Sequence, residues 1–230
     1  MKTVGIVGGI GPESTIEYYR FIIEGYRAGN PDRCYPSIII NSVDLNRLIG
    51  WLNAGELESF TDYLVAGVQK LADAGADFAV LAANTAHIVF DQIRGRSKIP
   101  LISIAEATYD KARASGLKRL GLLGTRFTME AEFYPETFGR GGLRIVTPNE
   151  MERTFINEKY FGELLKNIFL PETRDQMLAI INRMKEREAI DGLILGGTEL
   201  PLILRDAECD LPVFDTTRIH VERIVGELLR

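Results

Sequence analysis

The sequence predicts an α/β protein of two pseudo-symmetric halves, each a parallel sheet wrapped by helices, with an active-site crevice between them. Three observations predict it. Apolar strand-like runs alternate with helical stretches along the 230 residues, the order that builds parallel sheets with right-handed crossovers. The pattern then restarts, because Leu120-Gly121-Leu122-Leu123-Gly124-Thr125 mirrors Val4-Gly5-Ile6-Val7-Gly8-Gly9. Finally, the echoes keep step: Leu120 matches Val4, Gly197 matches Ala83 and Pro212 matches Pro100, at offsets of 116, 114 and 112 residues, which points to an internal duplication. The expected domains are residues 1–100 with 210–230, and residues 101–209.

Residues 3–8 form a continuous apolar run, read as the first strand. The turn Gly8-Gly9-Ile10-Gly11-Pro12 leads into Glu13-Ser14-Thr15, acidic and hydroxyl residues that suit the start of a helix reaching about Tyr26. A glycine turn ahead of a helix exposes backbone N–H groups to an anion, a carboxylate as readily as a phosphate. That makes Gly9 and Ile10 candidate substrate-binding positions, although the spacing is not the dinucleotide fingerprint and a plain tight turn explains the same residues. Ser37 to Asn41 reads as a second buried strand, followed by a loop through Asp44, Asn46, Arg47 and Trp51 and a helix from about Glu56 to Ala74. Loops at strand C-termini face the ligand in open α/β sheets, so Arg47 is a candidate two-pronged carboxylate clamp, with a surface ion pair as its competing role.

The third strand is Phe78 to Ala83, its helix runs from Thr85 to about Arg94, and the fourth strand is Leu101 to Ile104. Asn84 and Thr85 are residues of the helix-capping kind. In the second half a strand near Leu143 to Val146 precedes helices over about Glu152 to Ile168 and Glu172 to Arg187, then the strands Gly192 to Leu195 and Leu211 to Asp215. Two stretches share one design: Val80 to His87 and Leu193 to Leu200 each join an apolar run, two small residues and a hydroxyl residue at a helix start. The mouth of such a strand is where a reacting side chain stands. Here Ala83 and Gly197 occupy it and are chemically empty, while the turns at Gly9 and Thr125 are placed to supply donors from each half.

Composition narrows the function classes. With 46% hydrophobic residues the chain buries a sizeable core, and a net charge of −5 leaves no basic stripe for a nucleic-acid backbone or an anionic membrane surface. No apolar run approaches the ~20 residues that span a bilayer, and the N-terminus opens directly on a strand, so the expectation is a cytoplasmic protein. Cys34 and Cys209 form no CxxC pair, and with two distant histidines the sequence supports no metal site. Both thiols are expected to be free, at strand N-termini away from the crevice.

Taken together, Gly8-Gly9-Ile10-Gly11-Pro12, Asn84-Thr85-Ala86-His87, Leu123-Gly124-Thr125 with Thr128-Met129-Glu130, Gly196-Gly197-Thr198-Glu199 and Asp215-Thr216-Thr217-Arg218-Ile219-His220 make the chain resemble the aspartate/glutamate racemase family over essentially its whole length. The resemblance implies two α/β domains, a C-terminal helix returning to the first, a homodimer, a small amino-acid or carboxylate ligand, and racemisation with no cofactor, pyridoxal phosphate included. It also implies a cysteine on each domain acting as acid or base, at the positions held here by Ala83 and Gly197. A base on one face of Cα and an acid on the other, with donors for the carboxylate, is what such chemistry requires. Neither a methyl group nor a hydrogen atom exchanges a proton, so the two-thiol mechanism is excluded by the residues themselves.

Nearby groups are weighed as substitutes. The hydroxyls of Thr85 and Thr198 need a neighbouring base to react, which favours capping or carboxylate binding for them and for Asn84 and Thr125. Glu199 is a candidate acid, base or ammonium ligand at a helix start, where a carboxylate is favoured in any case. Lys166, expected on a long helix, is a candidate carboxylate partner offset by one residue from the family lysine. His87 and His220 read first as packed structural imidazoles. Three functions follow: an amino-acid racemase acting on aspartate, glutamate or a related small amino acid; a binding pseudoenzyme that keeps the carboxylate cradle; or a cofactor-free lyase, decarboxylase or hydrolase on the same scaffold.

Overall fold

The computed structural model describes residues 1–30, 32, 34–204 and 210–230. Among them, β1 (Thr3–Gly8), β2 (Ser37–Ser42), β3 (Phe78–Leu81) and β4 (Leu101–Ile102) form a parallel sheet in the order β2-β1-β3-β4. The strands β5 (Arg119–Gly124), β6 (Arg144–Val146), β7 (Gly192–Gly196) and β8 (Val213–Asp215) form a second, in the order β6-β5-β7-β8. The two orders are the same, as the repeated sequence requires. One compact unit comprises Met1–Ala107 with Thr217–Arg230, the other Thr108–Thr216. Strand pairing therefore carries Leu101–Ile102 into the first sheet and Val213–Asp215 into the second, later in the chain than breaks at 100 and 210.

In the first unit, α1 (Pro12–Gly29) and α11 (Thr216–Leu228) cover one face of the sheet. Val4 and Ile6 of β1 and Phe78 and Val80 of β3 bury there against Tyr18, Ile22, Val221 and Ile224. The alternate residues Val7, Ala79 and Leu81 bury on the other face against Leu64, Val68 and Leu71 of α3 (Leu57–Asp73) and Ile93 of α4 (Phe90–Arg96). A strand buried on both faces has no polar side, which is why these segments read as unbroken apolar runs. Each such side chain contributes about 1.5–3 kcal/mol.

Several local expectations are corrected. The second strand is not buried: β2 is an edge strand, and Ile40 is 41% exposed. The segment after Asp44 is a helix, α2 (Leu45–Ala54), not a loop; the Asp44 carboxylate accepts the N–H groups of Asn46 and Arg47, and Leu48, Trp51 and Leu52 lie on one helical face against the core. The third strand stops at Leu81, two residues before Ala83, and Thr85–Val89 forms a 3₁₀ turn ahead of α4. The fourth strand ends at Ile102 because Ile104 already begins α5 (Ile104–Ala114).

In the second unit, α6 (Arg126–Glu130) and α7 (Phe133–Gly139) follow β5, and α8 (Glu150–Gly162) and α9 (Pro171–Glu188) pack over the face of the sheet formed by Leu123, Leu193 and Leu195. The expected long helix ends at Gly162; Leu164–Lys166 is a separate 3₁₀ turn, closed by Asn167 at φ 57°. A reciprocal cap starts α8: Asn149 Oδ1 accepts the Glu152 N–H, and Glu152 Oε2 accepts the Asn149 N–H, each at 3.0 Å. Asn149→Ala is expected to lower the urea-unfolding free energy by about 1 kcal/mol. The short α10 (Leu200–Ile203) follows β7. No helix among the described residues is long and apolar enough to cross a membrane.

Candidate functional site

At the strand mouths of the first unit, Gly9 has φ +81°, and a Cβ there would stand 2.6 Å from Ser42 Oγ, so glycine is required for backbone and space alike. Its N–H donates to Thr15 Oγ1 at 2.8 Å. The donor expected to face a ligand is thus engaged inside the turn. Ile10 is half-buried against the core beneath α3. Ser14 Oγ donates to the Ala82 carbonyl at 2.7 Å, fastening the start of α1 to the end of β3. Ala83 is half-buried, Asn84 buried and Thr85 half-buried. Asn84 makes no side-chain cap: its backbone is helical (φ −64°, ψ −47°), whereas a capping residue needs an extended one.

His87 and His220 are structural. Ile104 N–H donates to His87 Nε2 at 3.1 Å, which leaves the proton on Nδ1 to donate to the Ala83 carbonyl at 2.9 Å. In His220, Nε2 donates to the Ile102 carbonyl at 3.0 Å and Nδ1 accepts from the Tyr18 hydroxyl at 2.8 Å. Burial lowers both rings from the ordinary 6.5, His87 to about 3 and His220 to about 4. Both are neutral at pH 7 and hold Ala83, β4 and α1 in place.

In the second unit Thr125 is buried and caps α6, accepting the Thr128 N–H at 3.3 Å. Lys166 is exposed on its 3₁₀ turn, and Arg47 is exposed in the first turn of α2. Among the described residues neither cation bonds to a strand mouth. Cys34 is free and exposed, three residues ahead of β2; Cys209 lies outside the described residues.

The turn after β7 differs from its counterpart. Gly197 is buried, and its backbone lies outside the left-handed region, so conformation does not demand glycine. Space does: a Cβ there would stand 2.7 Å from Tyr160 Cε2 and 2.9 Å from Cζ, with the phenol oxygen nearer still. The Tyr160 side chain, reaching in from α8, fills the volume of the residue-197 side chain. Its hydroxyl donates to Glu199 Oε2, which also accepts from Thr198 Oγ1 at 2.8 Å. Glu199 is 2% exposed, makes no side-chain cap to α10, and its second oxygen, Oε1, has no hydrogen-bond partner among the described residues. Burial, and then the Glu199 carboxylate, push the Tyr160 phenol well above its ordinary 10.0.

Sequence reasoning missed Tyr160. A signal existed: Ile156, Tyr160 and Leu164 recur at helical spacing on a core face, and a phenol on such a face needs a buried partner. Nothing in the sequence names that partner as a residue 39 positions away.

Two parallel α/β units of identical strand order, each with a central strand ending in a small-residue turn beside buried polar groups, define the two-domain architecture of amino-acid racemases. The chain belongs to the Asp/Glu/hydantoin racemase family, whose profile matches residues 7–224. It is 24% identical to the broad specificity amino-acid racemase RacX of Bacillus subtilis, over 98% of each chain. Among solved structures it matches a candidate Asp/Glu racemase from Yersinia pestis (33% identity, TM-score 0.92) and an aspartate racemase homologue from Pyrococcus horikoshii OT3 (34% identity, TM-score 0.86), each over the full length of both chains.

Proposed function

We propose that the protein binds a small amino acid, aspartate, glutamate or a relative, and acts at its Cα–H bond without pyridoxal phosphate. The observation that supports this is the pair of small-residue turns, at Ala83 after β3 and at Gly197 after β7, each followed closely by a buried polar side chain, Asn84 or Glu199. The candidates for carboxylate binding are Ile10, Asn84 and Thr85 in the first unit and Thr125 and Thr198 in the second, with the exposed side chains of Arg47 and Lys166 as further candidates.

The test pairs calorimetry with loss of deuterium from C2-deuterated amino acids, both enantiomers of aspartate, glutamate and a small panel. Saturable binding with deuterium loss is the expected result; no binding to any of them overturns the reading. Binding without exchange would favour a binding pseudoenzyme, a second reading supported by the methyl group of Ala83, which exchanges no proton.

A further inference from the structure

We infer that Tyr160 and Glu199 form a proton relay that takes the place of a side chain at position 197 and serves one face of the ligand's Cα. The inference rests on the amino-acid-binding reading above. Three independent features of the second unit carry it. First, the Tyr160 hydroxyl occupies the volume that a residue-197 side chain would fill, at the mouth of β7. Second, that hydroxyl donates to a carboxylate oxygen of Glu199, which Thr198 Oγ1 also holds, so the pair is oriented. Third, Glu199 is only 2% exposed and its other oxygen lacks a partner among the described residues. Burying an incompletely satisfied carboxylate is destabilising, a cost that packing alone does not call for and that suits a group that takes up a proton.

The chemistry balances without an ionised phenol. The Cα–H bond breaks to the Tyr160 oxygen as the Tyr160 O–H bond breaks to Glu199 Oε2. Glu199 becomes a carboxylic acid, Tyr160 remains a neutral phenol, and the electron pair left at Cα is delocalised into the ligand's own carboxyl group. Reversal returns a proton to the same face. A phenol held far above its ordinary range suits this role, since it passes a proton on without ever storing charge. Because removal and return of the proton both pass through the Tyr160 oxygen, the relay works on one face only. The expected activity is exchange of the α-hydrogen of one enantiomer with solvent, faster than that enantiomer is converted to its mirror image.

The experiment follows α-deuterium loss by NMR and stereochemistry by chiral chromatography, for the unaltered protein, Tyr160→Phe and Glu199→Gln, with ligand affinity from calorimetry and folding from circular dichroism. Tyr160→Phe keeps the ring in place and removes only the oxygen. Loss of a positioned acid–base group typically costs about 10²–10⁴-fold, so both variants are expected to exchange at least about 100-fold more slowly while ligand affinity changes less than about threefold. Exchange in Tyr160→Phe within about threefold of the unaltered protein overturns the relay. So does an unaltered protein that binds amino acid and exchanges no deuterium, an outcome that leaves the binding reading intact. Failure to bind any amino acid overturns both.

Discussion

Lowering the pH from 7 to about 4.5 is expected to remove several kcal/mol of stability, through two buried histidines. His87 and His220 are held by burial at about 3 and about 4, below the ordinary 6.5. As pH falls below 6.5 the unfolded chain binds protons that the folded chain refuses. The stabilisation is therefore complete above 6.5 and drains away as pH drops toward 4 and then 3. A tenfold weakening of proton binding in the folded chain corresponds to about 1.4 kcal/mol, so the two rings together are worth on the order of several kcal/mol at neutral pH. Carboxylates such as Glu163 and Glu227, which Lys159 and Lys2 hold below 4.5, lose their contribution only at lower pH. The window between 6.5 and 4.5 thus isolates the imidazoles. Urea titrations across it should show a steady fall in the unfolding midpoint, and His220→Gln should be less stable at pH 7 yet lose less on acidification. An unchanged slope in that variant would show that the ring is not the titrating group.

Gly197→Cys is expected to destabilise the protein by about 1–3 kcal/mol, the range for overpacking a filled core, and to create no racemase by itself. The new side chain would enter volume already held by the Tyr160 ring and hydroxyl. Removing the ring as well should relieve the conflict: in a double-mutant cycle with Tyr160→Leu, the pair should cost at least about 1 kcal/mol less than the sum of the single changes. Additive costs in urea unfolding would mean that the two positions do not compete for space. Any attempt to install a thiol on each unit, with Ala83→Cys in the first, therefore has to shorten Tyr160 too. Glycine at 197 and tyrosine at 160 are one structural choice written at two places in the chain.

Much of the fold is legible in the sequence because parallel strands buried on both faces must be continuously apolar, and because a duplicated chain repeats its strand order. The stretch from Leu45 reads as a loop, since the polar residues Asp44, Asn46 and Arg47 and the exposed Gly50 and Asn53 break up the run, whereas in the helix they lie away from the face formed by Leu48, Trp51 and Leu52. At the candidate site, Ala83 and Gly197 stand out by what they lack. What surrounds them is less legible: Thr15 takes the Gly9 N–H, and Ser14 takes the Ala82 carbonyl, two bonds that depend on how a turn closes.

The sequence by itself determined the two-sheet α/β architecture, the family and the absence of a side-chain acid or base at residues 83 and 197, since these follow from residue identity and from the periodicity of burial. Only the tertiary structure decided what fills the space at Gly197. A vacancy in the sequence is a missing atom at one position, whereas a vacancy in the fold exists only if no neighbour enters it. Here α8 brings Tyr160 into that space from 37 residues away and sets its hydroxyl on Glu199, a pairing fixed by helix-on-sheet packing and by the need to satisfy a buried phenol, neither of which is local in the chain.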